Sequence, residues 1–66
     1  MKLTLNGNAQ DVGDVTNVAS LLTVLGFADI PVLVEHNGTA LFPREYGSTG
    51  LAEGDTVEII RVVAGG

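Results

Sequence analysis

The sequence predicts an α+β domain in which one main helix packs on a mixed sheet of four to five strands. Three observations carry this. A single segment, Val18 to Leu25, places its apolar residues at helical spacing. Two Asn-Gly pairs, Asn6-Gly7 and Asn37-Gly38, each follow a short alternating or β-branched run. The most β-branched run of the chain, Thr56 to Val63, stands near its end. A lone helix buries its apolar stripe only against a sheet, and a sheet needs more than one hairpin to present a face to it.

Taken in order, Leu3 and Leu5 alternate with Lys2 and Thr4, the period-two pattern of a half-buried strand. Asn6-Gly7 follows at once, and because both residues tolerate positive φ the chain turns tightly, with a second strand returning near Ala9 to Val12. Gly13-Asp14 breaks the alternation. Val18, Leu21, Leu22 and Leu25 then fall at i, i+3, i+4 and i+7, one stripe of a helix spanning about Asn17 to Leu25. Thr16 is expected to cap its N-terminus through the hydroxyl, and Gly26 to take the left-handed position past its end. Phe27 to Pro31 reads as a loop whose Phe27 and Ile30 fold back on the core. Val32 to Glu35 is a short strand, Asn37-Gly38 a hairpin turn, and Ala40 to Phe42 its return. Pro43 to Gly50 is irregular with one turn of helix, Leu51 is a core anchor, and Glu53-Gly54-Asp55 is a tight turn. That turn feeds Thr56 to Val63, the expected central strand. If the first and last strands pair in parallel, joined through the helix, the result is a β-grasp, the ubiquitin-like fold. Residues 1–63 would be the β-grasp domain and residues 64–66 a flexible Ala-Gly-Gly tail.

The chain has 66 residues and a net charge of −5, from three Lys plus Arg against eight Asp plus Glu. A domain of this size buries only about 60% of its unfolded surface, which leaves one thin core and no room for a deep active-site cavity. The absence of Cys excludes disulfides, thiolate metal sites and cysteine nucleophiles from these 66 residues. The first residues lack the unbroken apolar stretch of a signal peptide, and nothing approaches a membrane span, so a cytoplasmic protein is expected. Acidity repels a phosphate backbone, and Lys2, Arg44 and Arg61 are too scattered for a basic stripe, so nucleic acid is not an expected partner. The same charge can steer the molecule onto a basic enzyme surface, or merely keep it soluble.

Few side chains here could do catalysis, and no catalytic or metal site is expected. His36 is the one imidazole and stands beside a predicted turn, where exposure is the default. Glu53, Asp55 and Glu58 cluster in sequence but read as solvated charge on a turn and a strand surface. The nine glycines show neither a Walker nor a dinucleotide-binding spacing.

The end of the sequence differs. A strong strand runs into Ala64-Gly65-Gly66 with no polar segment after it. A frayed terminus is the bland explanation. The functional one is that an extended Gly-Gly arm threads a narrow enzyme channel that any Cβ would block, three extended residues reaching about 10 Å beyond the fold. A carboxylate delivered this way is a poor electrophile until its oxygen becomes a leaving group. Adenylylation by ATP does that, after which a thiol or persulfide can attack the acyl carbon and leave sulfur on the terminus as a thiocarboxylate. All of this catalysis would belong to a partner.

The opening Lys2-Leu3-Thr4-Leu5-Asn6-Gly7, the helix after Thr16, Pro43-Arg44-Glu45-Tyr46, and Glu53-Gly54-Asp55-Thr56-Val57-Glu58-Ile59-Ile60 leading to Gly65-Gly66 resemble the thiamine-biosynthesis sulfur carriers, the ThiS family. The resemblance covers essentially the whole length. It implies a β-grasp fold, adenylylation of Gly66 by an E1-like (ThiF-like) enzyme using ATP and Mg, sulfur transfer from a donor system, and delivery of sulfur to a ThiG-like thiazole synthase. No cofactor would be bound by this chain itself. Carriers that serve molybdopterin or another sulfur-containing product are the alternative, with a protein modifier and a purely structural β-grasp behind them. Two departures stand out: the segment between Asn37-Gly38 and Pro43-Arg44 is about one residue longer than the family pattern, which a bulge would absorb, and Tyr46 stands where the family often has Trp.

Alternation along the last strand puts Val57, Ile59, Arg61 and Val63 on one side and Glu58, Ile60 and Val62 on the other. With the first set toward the helix, Ile60 and Val62 become apolar residues on the open face, just before the tail. They are the expected partner-docking residues, unless the strand is buried on both sides or a bulge near Arg61 reverses the alternation.

Overall fold

The computed structural model describes residues 1–63. Strand β1 (Lys2–Leu5) turns into β2 (Asn8–Asp11), followed by helix α1 (Val18–Leu25), β3 (Val32–His36), β4 (Thr39–Leu41), a 3₁₀ turn at Pro43–Glu45 and β5 (Thr56–Arg61). The five strands form one sheet in the order β2-β1-β5-β3-β4. Strand β5 is therefore central, parallel to β1 and antiparallel to β3, with α1 on one face. This is the expected β-grasp. Residues 64–66, which carry the proposed tail, lie outside the described residues.

Both hairpin turns have positive φ at both central residues, 48° and 83° at Asn6-Gly7 and 49° and 84° at Asn37-Gly38, which is why Asn-Gly occupies them. The ladder after the second turn is regular: Val34↔Leu41, Glu35↔Ala40 and His36↔Thr39 pair in step. The longer segment is thus not absorbed by a bulge within β4. Phe42 instead continues the extended chain (φ −83°, ψ 152°) straight into Pro43.

The helix buries Val18, Leu21 and Leu22 against Leu3 and Leu5 of β1, Val34 of β3, and Val57 and Ile59 of β5. Its N-cap is Asn17, not Thr16. The Asn17 carboxamide accepts the Ser20 N–H at 2.8 Å, while the Ser20 hydroxyl accepts the N–H groups of Asn17 and Thr16 at 3.1 and 3.0 Å. A side chain one residue earlier gives up that reciprocal geometry. The irregular stretch after the 3₁₀ turn completes the helix start: Tyr46 O accepts from Ala19 N–H and Thr49 O from Val18 N–H, each at 3.0 Å. At the other end Gly26 is left-handed (φ 85°) and Phe27 N–H reaches back to Leu22 O at 2.8 Å, folding Phe27 onto the core. Leu51 packs on the core as expected, and Tyr46 joins it.

Strand β5 stops at Arg61, two residues short of the expected end at Val63. Val62 N–H still bonds Pro31 O at 3.0 Å, but a proline has no N–H to return, so the ladder ends there.

Candidate functional site

Ile60 and Val62 lie on the open side of the sheet, 54% and 44% exposed. Val57 and Ile59 are buried beneath the helix, and the alternation runs through β5 without a bulge. Burial on both faces is therefore excluded for this strand.

The structure adds residues to this face that the sequence reading missed. Ile60 pairs directly with Leu33 of β3, which is 60% exposed. Val34 pairs with Leu41, the last residue of β4, and Phe42, also 60% exposed, follows it. Phe42 just past the end of β4, Leu33 on β3 and Ile60 on β5 make up one exposed apolar row, with Val62 beyond Ile60. The Arg44 guanidinium carbon sits 4.7 Å from the centroid of the Phe42 ring, a cation–π contact at the end of the row. Beside the row, Glu35 and Glu58 are directly opposed cross-strand partners, both exposed. Like charges in that position destabilise a sheet. Leu33 and Phe42 could have been found from the sequence only with the strand register in hand, because each lies in a run that looks uniformly apolar.

His36 is not the solvent-exposed residue expected. Its side chain is half-buried, and Nε2 lies 2.8 Å from Asp55 Oδ2. A carboxylate only accepts, so Nε2 carries the proton. Asp55 Oδ2 also accepts the Ala52 N–H at 2.9 Å. The bond from His36, followed by that from Ala52, holds the Asp55 carboxyl below its ordinary pKa. Asn37 completes the clasp: its side-chain oxygen accepts Thr56 N–H and its N–H donates to Thr56 O, both at 2.8 Å. Glu53 is likewise engaged, accepting the Lys2 N–H at 3.0 Å. Of the three clustered acids only Glu58 makes no side-chain bond among the described residues. These contacts bind the turn before β5 to the β3–β4 hairpin and to β1, and so fix where the central strand starts.

Among the described residues no group of His, Cys, Asp or Glu is placed to hold a metal ion, and they enclose no pocket. No helix among them is long and apolar enough to cross a membrane. The predicted sulfur-carrying Gly66, with Gly65 and Ala64, falls outside the described residues; the structure describes the strand that leads to it.

A model of the ThiS family matches residues 3–66. The chain belongs to the ThiS family. Its fold agrees with solved members: the crystal structure of the thiamine biosynthesis protein ThiS from Geobacter metallireducens is 36% identical, with a TM-score of 0.84 and both chains covered in full. The solution structure of a thiamine biosynthesis protein from the same organism gives a TM-score of 0.83 at 36% identity, covering all of this chain and 88% of that one. A thiazole synthase of Magnetococcus marinus is 36% identical over 66 residues, all of this chain but 20% of the relative. The chain thus spans about a fifth of that relative's length.

Proposed function

We propose that this ThiS-family chain is a sulfur carrier for thiazole formation in thiamine biosynthesis, acting as a co-substrate and not as a catalyst. The observation that carries the reading is the family match running through Gly65-Gly66, behind the central strand of a β-grasp. In the proposed cycle a Gly66 carboxylate oxygen attacks the α-phosphorus of Mg-ATP on the activating enzyme, and pyrophosphate leaves. The resulting acyl adenylate is attacked at carbon by a sulfur nucleophile from a donor system. The C–O bond to the adenylate breaks and AMP departs with that oxygen. Where the nucleophile is a donor persulfide, a thiol then cleaves the S–S bond of the acyl disulfide, forming a disulfide with the donor and freeing the thiocarboxylate that carries sulfur to thiazole synthase. ATP and Mg belong to the activating enzyme.

The second partner is supported by the Magnetococcus relative, in which a segment like this chain lies within a protein named thiazole synthase. The row Phe42–Leu33–Ile60, with Val62, is the proposed docking face for both enzymes. A row exposed on one face and placed directly before the tail aligns the arm with whatever surface covers the row. The opposed Glu35 and Glu58 fit a partner with basic groups at the rim, where a destabilising pair becomes a complementary one.

Intact-mass analysis tests the reading. Incubated with its activating enzyme, Mg-ATP and a sulfur donor, the chain should exchange one terminal oxygen for sulfur, and removal of Gly65 and Gly66 should abolish this while leaving the unfolding transition unchanged. Modification on an internal peptide, or equal modification of the truncated chain, overturns it. Rescue of a molybdopterin-deficient strain but not of a thiamine-requiring one would reassign the pathway.

A further inference from the structure

Strand β5 is bonded along both edges, and the two edges use alternate residues. Toward β3, Asn37 N–H bonds Thr56 O at 2.8 Å and Val62 N–H bonds Pro31 O at 3.0 Å, so even-numbered residues direct their N–H and C=O groups to β3. Odd-numbered residues direct theirs to β1. Asp55 O accepts Thr4 N–H at 2.9 Å, and Val57 O accepts Asn6 N–H at 3.0 Å. Ile59 closes both its groups on the Asn6 carboxamide, at 2.8 and 3.3 Å. Arg61 is next in this series. On that side the β1–β5 register ends at Leu5↔Val57 and the chain turns away at Asn6-Gly7, so no residue of β1 is left to pair with Arg61.

The outer edges of the sheet are blunted in the usual ways. Strand β2 is a fully exposed Asn-Ala-Gln-Asp, and β4 has only three residues. The open edge at Arg61 is short and carries one charged side chain, but it differs from them in place. It belongs to the central strand, lies beside the apolar residues Ile60 and Val62, and comes immediately before the tail.

We propose that the β5 edge at Arg61, continued by alternation at Val63, is a strand-addition site for an extended backbone segment of the ATP-dependent activating enzyme. A residue that offers both a donor and an acceptor in the plane of a sheet is matched by a carboxamide, as Asn6 matches Ile59, or by another backbone. A backbone also repeats the match at Val63, which a side chain cannot. Pairing there fixes the register of the chain leading to Gly66, so that the enzyme meets the carboxylate at a set distance from the docking face. The inference rests on the carrier reading proposed above.

The test uses the full chain made by chemical ligation with N-methylation at Arg61, which removes the edge donor and blocks pairing while keeping every side chain. N-methylation at Ala9, on the outer edge of β2, is the control. The Arg61 modification should lower kcat/KM for adenylylation on the order of tenfold, through KM, with the control unchanged. In the unmodified chain, exchange of the Arg61 amide hydrogen should slow when the enzyme is added. If the enzyme leaves that exchange rate unchanged, or the Arg61-methylated chain reacts at the wild-type rate, the edge proposal is overturned while the carrier reading stands. Slow exchange that depends on protein concentration without enzyme would make the occupant a second copy of this chain and overturn the proposal too. A wild-type chain that accepts no AMP ends the carrier reading, and this inference with it.

Discussion

Asn6 offers the sharpest test of how this sheet is held together. Strand β1 pairs with β5 only at Thr4↔Thr56 and Leu5↔Val57 before turning away, with Asn6 itself left-handed at φ 48°. From that position its carboxamide acts as one more residue of β1: Oδ1 accepts Ile59 N–H and Nδ2 donates to Ile59 O. Replacing Asn6 by Ala deletes both bonds, each with a net value of about 0.5–1.5 kcal/mol, and strands two partly buried backbone groups. It also forces a residue without a polar side chain into the left-handed region, at a further cost of about 1 kcal/mol. The total is roughly 2–4 kcal/mol, against about 3–10 kcal/mol for a whole domain of this length. Asn6→Gly loses the same bonds but relieves the backbone, so it should fall about 1 kcal/mol short of the Ala variant. Urea denaturation followed by far-ultraviolet circular dichroism reads all three proteins. An Asn6→Gly chain within about 0.5 kcal/mol of wild type, the range of an ordinary surface substitution, would refute the idea that a side chain extends the parallel ladder.

Two further predictions concern the clasp and the docking face. Because Asp55 titrates below its unfolded value, its contribution to stability is present above that value and disappears as pH falls through the folded one. Asp55→Asn should therefore be less stable than wild type at pH about 7, with the gap in urea midpoint closing below pH about 4; an equal gap at both pH values would show that the carboxylate charge is not what matters. Ile60→Glu combined with Val62→Thr should leave the fold intact, since both residues are exposed, while weakening adenylylation about tenfold to a hundredfold, the value of one buried Ile contact. Normal folding with normal reaction at both enzymes would remove this face from the interface.

The parts of this fold that were legible in the sequence are those governed by neighbours along the chain. The stripe Val18, Leu21, Leu22, Leu25, the left-handed Gly26, both Asn-Gly turns and the alternation of β5 are each decided within a few residues, and each appears as read. Topology followed as well, because one helix and a strongly β-branched last run leave little choice but a central β5. What escaped depends on register between distant segments. Thr16 and Asn17 are both acceptable caps in isolation; the choice falls to Asn17, whose amide also donates to Gly47 O at 3.1 Å, across a loop thirty residues away in sequence. His36 looked exposed because its partner, Asp55, is nineteen residues on and approaches only when β5 pairs with β3.

The candidate site divides along the same line. Gly65-Gly66 and the face assigned to Ile60 and Val62 needed only composition and alternation, whereas Leu33 and Phe42 needed the pairings Leu33↔Ile60 and Val34↔Leu41. This division follows from what the carrier is proposed to do. On that proposal the arm is specified by its own residues, since the absence of side chains at Gly65 and Gly66 is what would let it enter a channel. A docking face has to be assembled from several strands, because one half-exposed Ile offers too little area to hold a partner. The row from Phe42 to Val62 draws on β5, β3 and the residue that follows β4. Its position at the central strand means that the same hydrogen bonds that stabilise the fold also hold that surface in place relative to the end of β5.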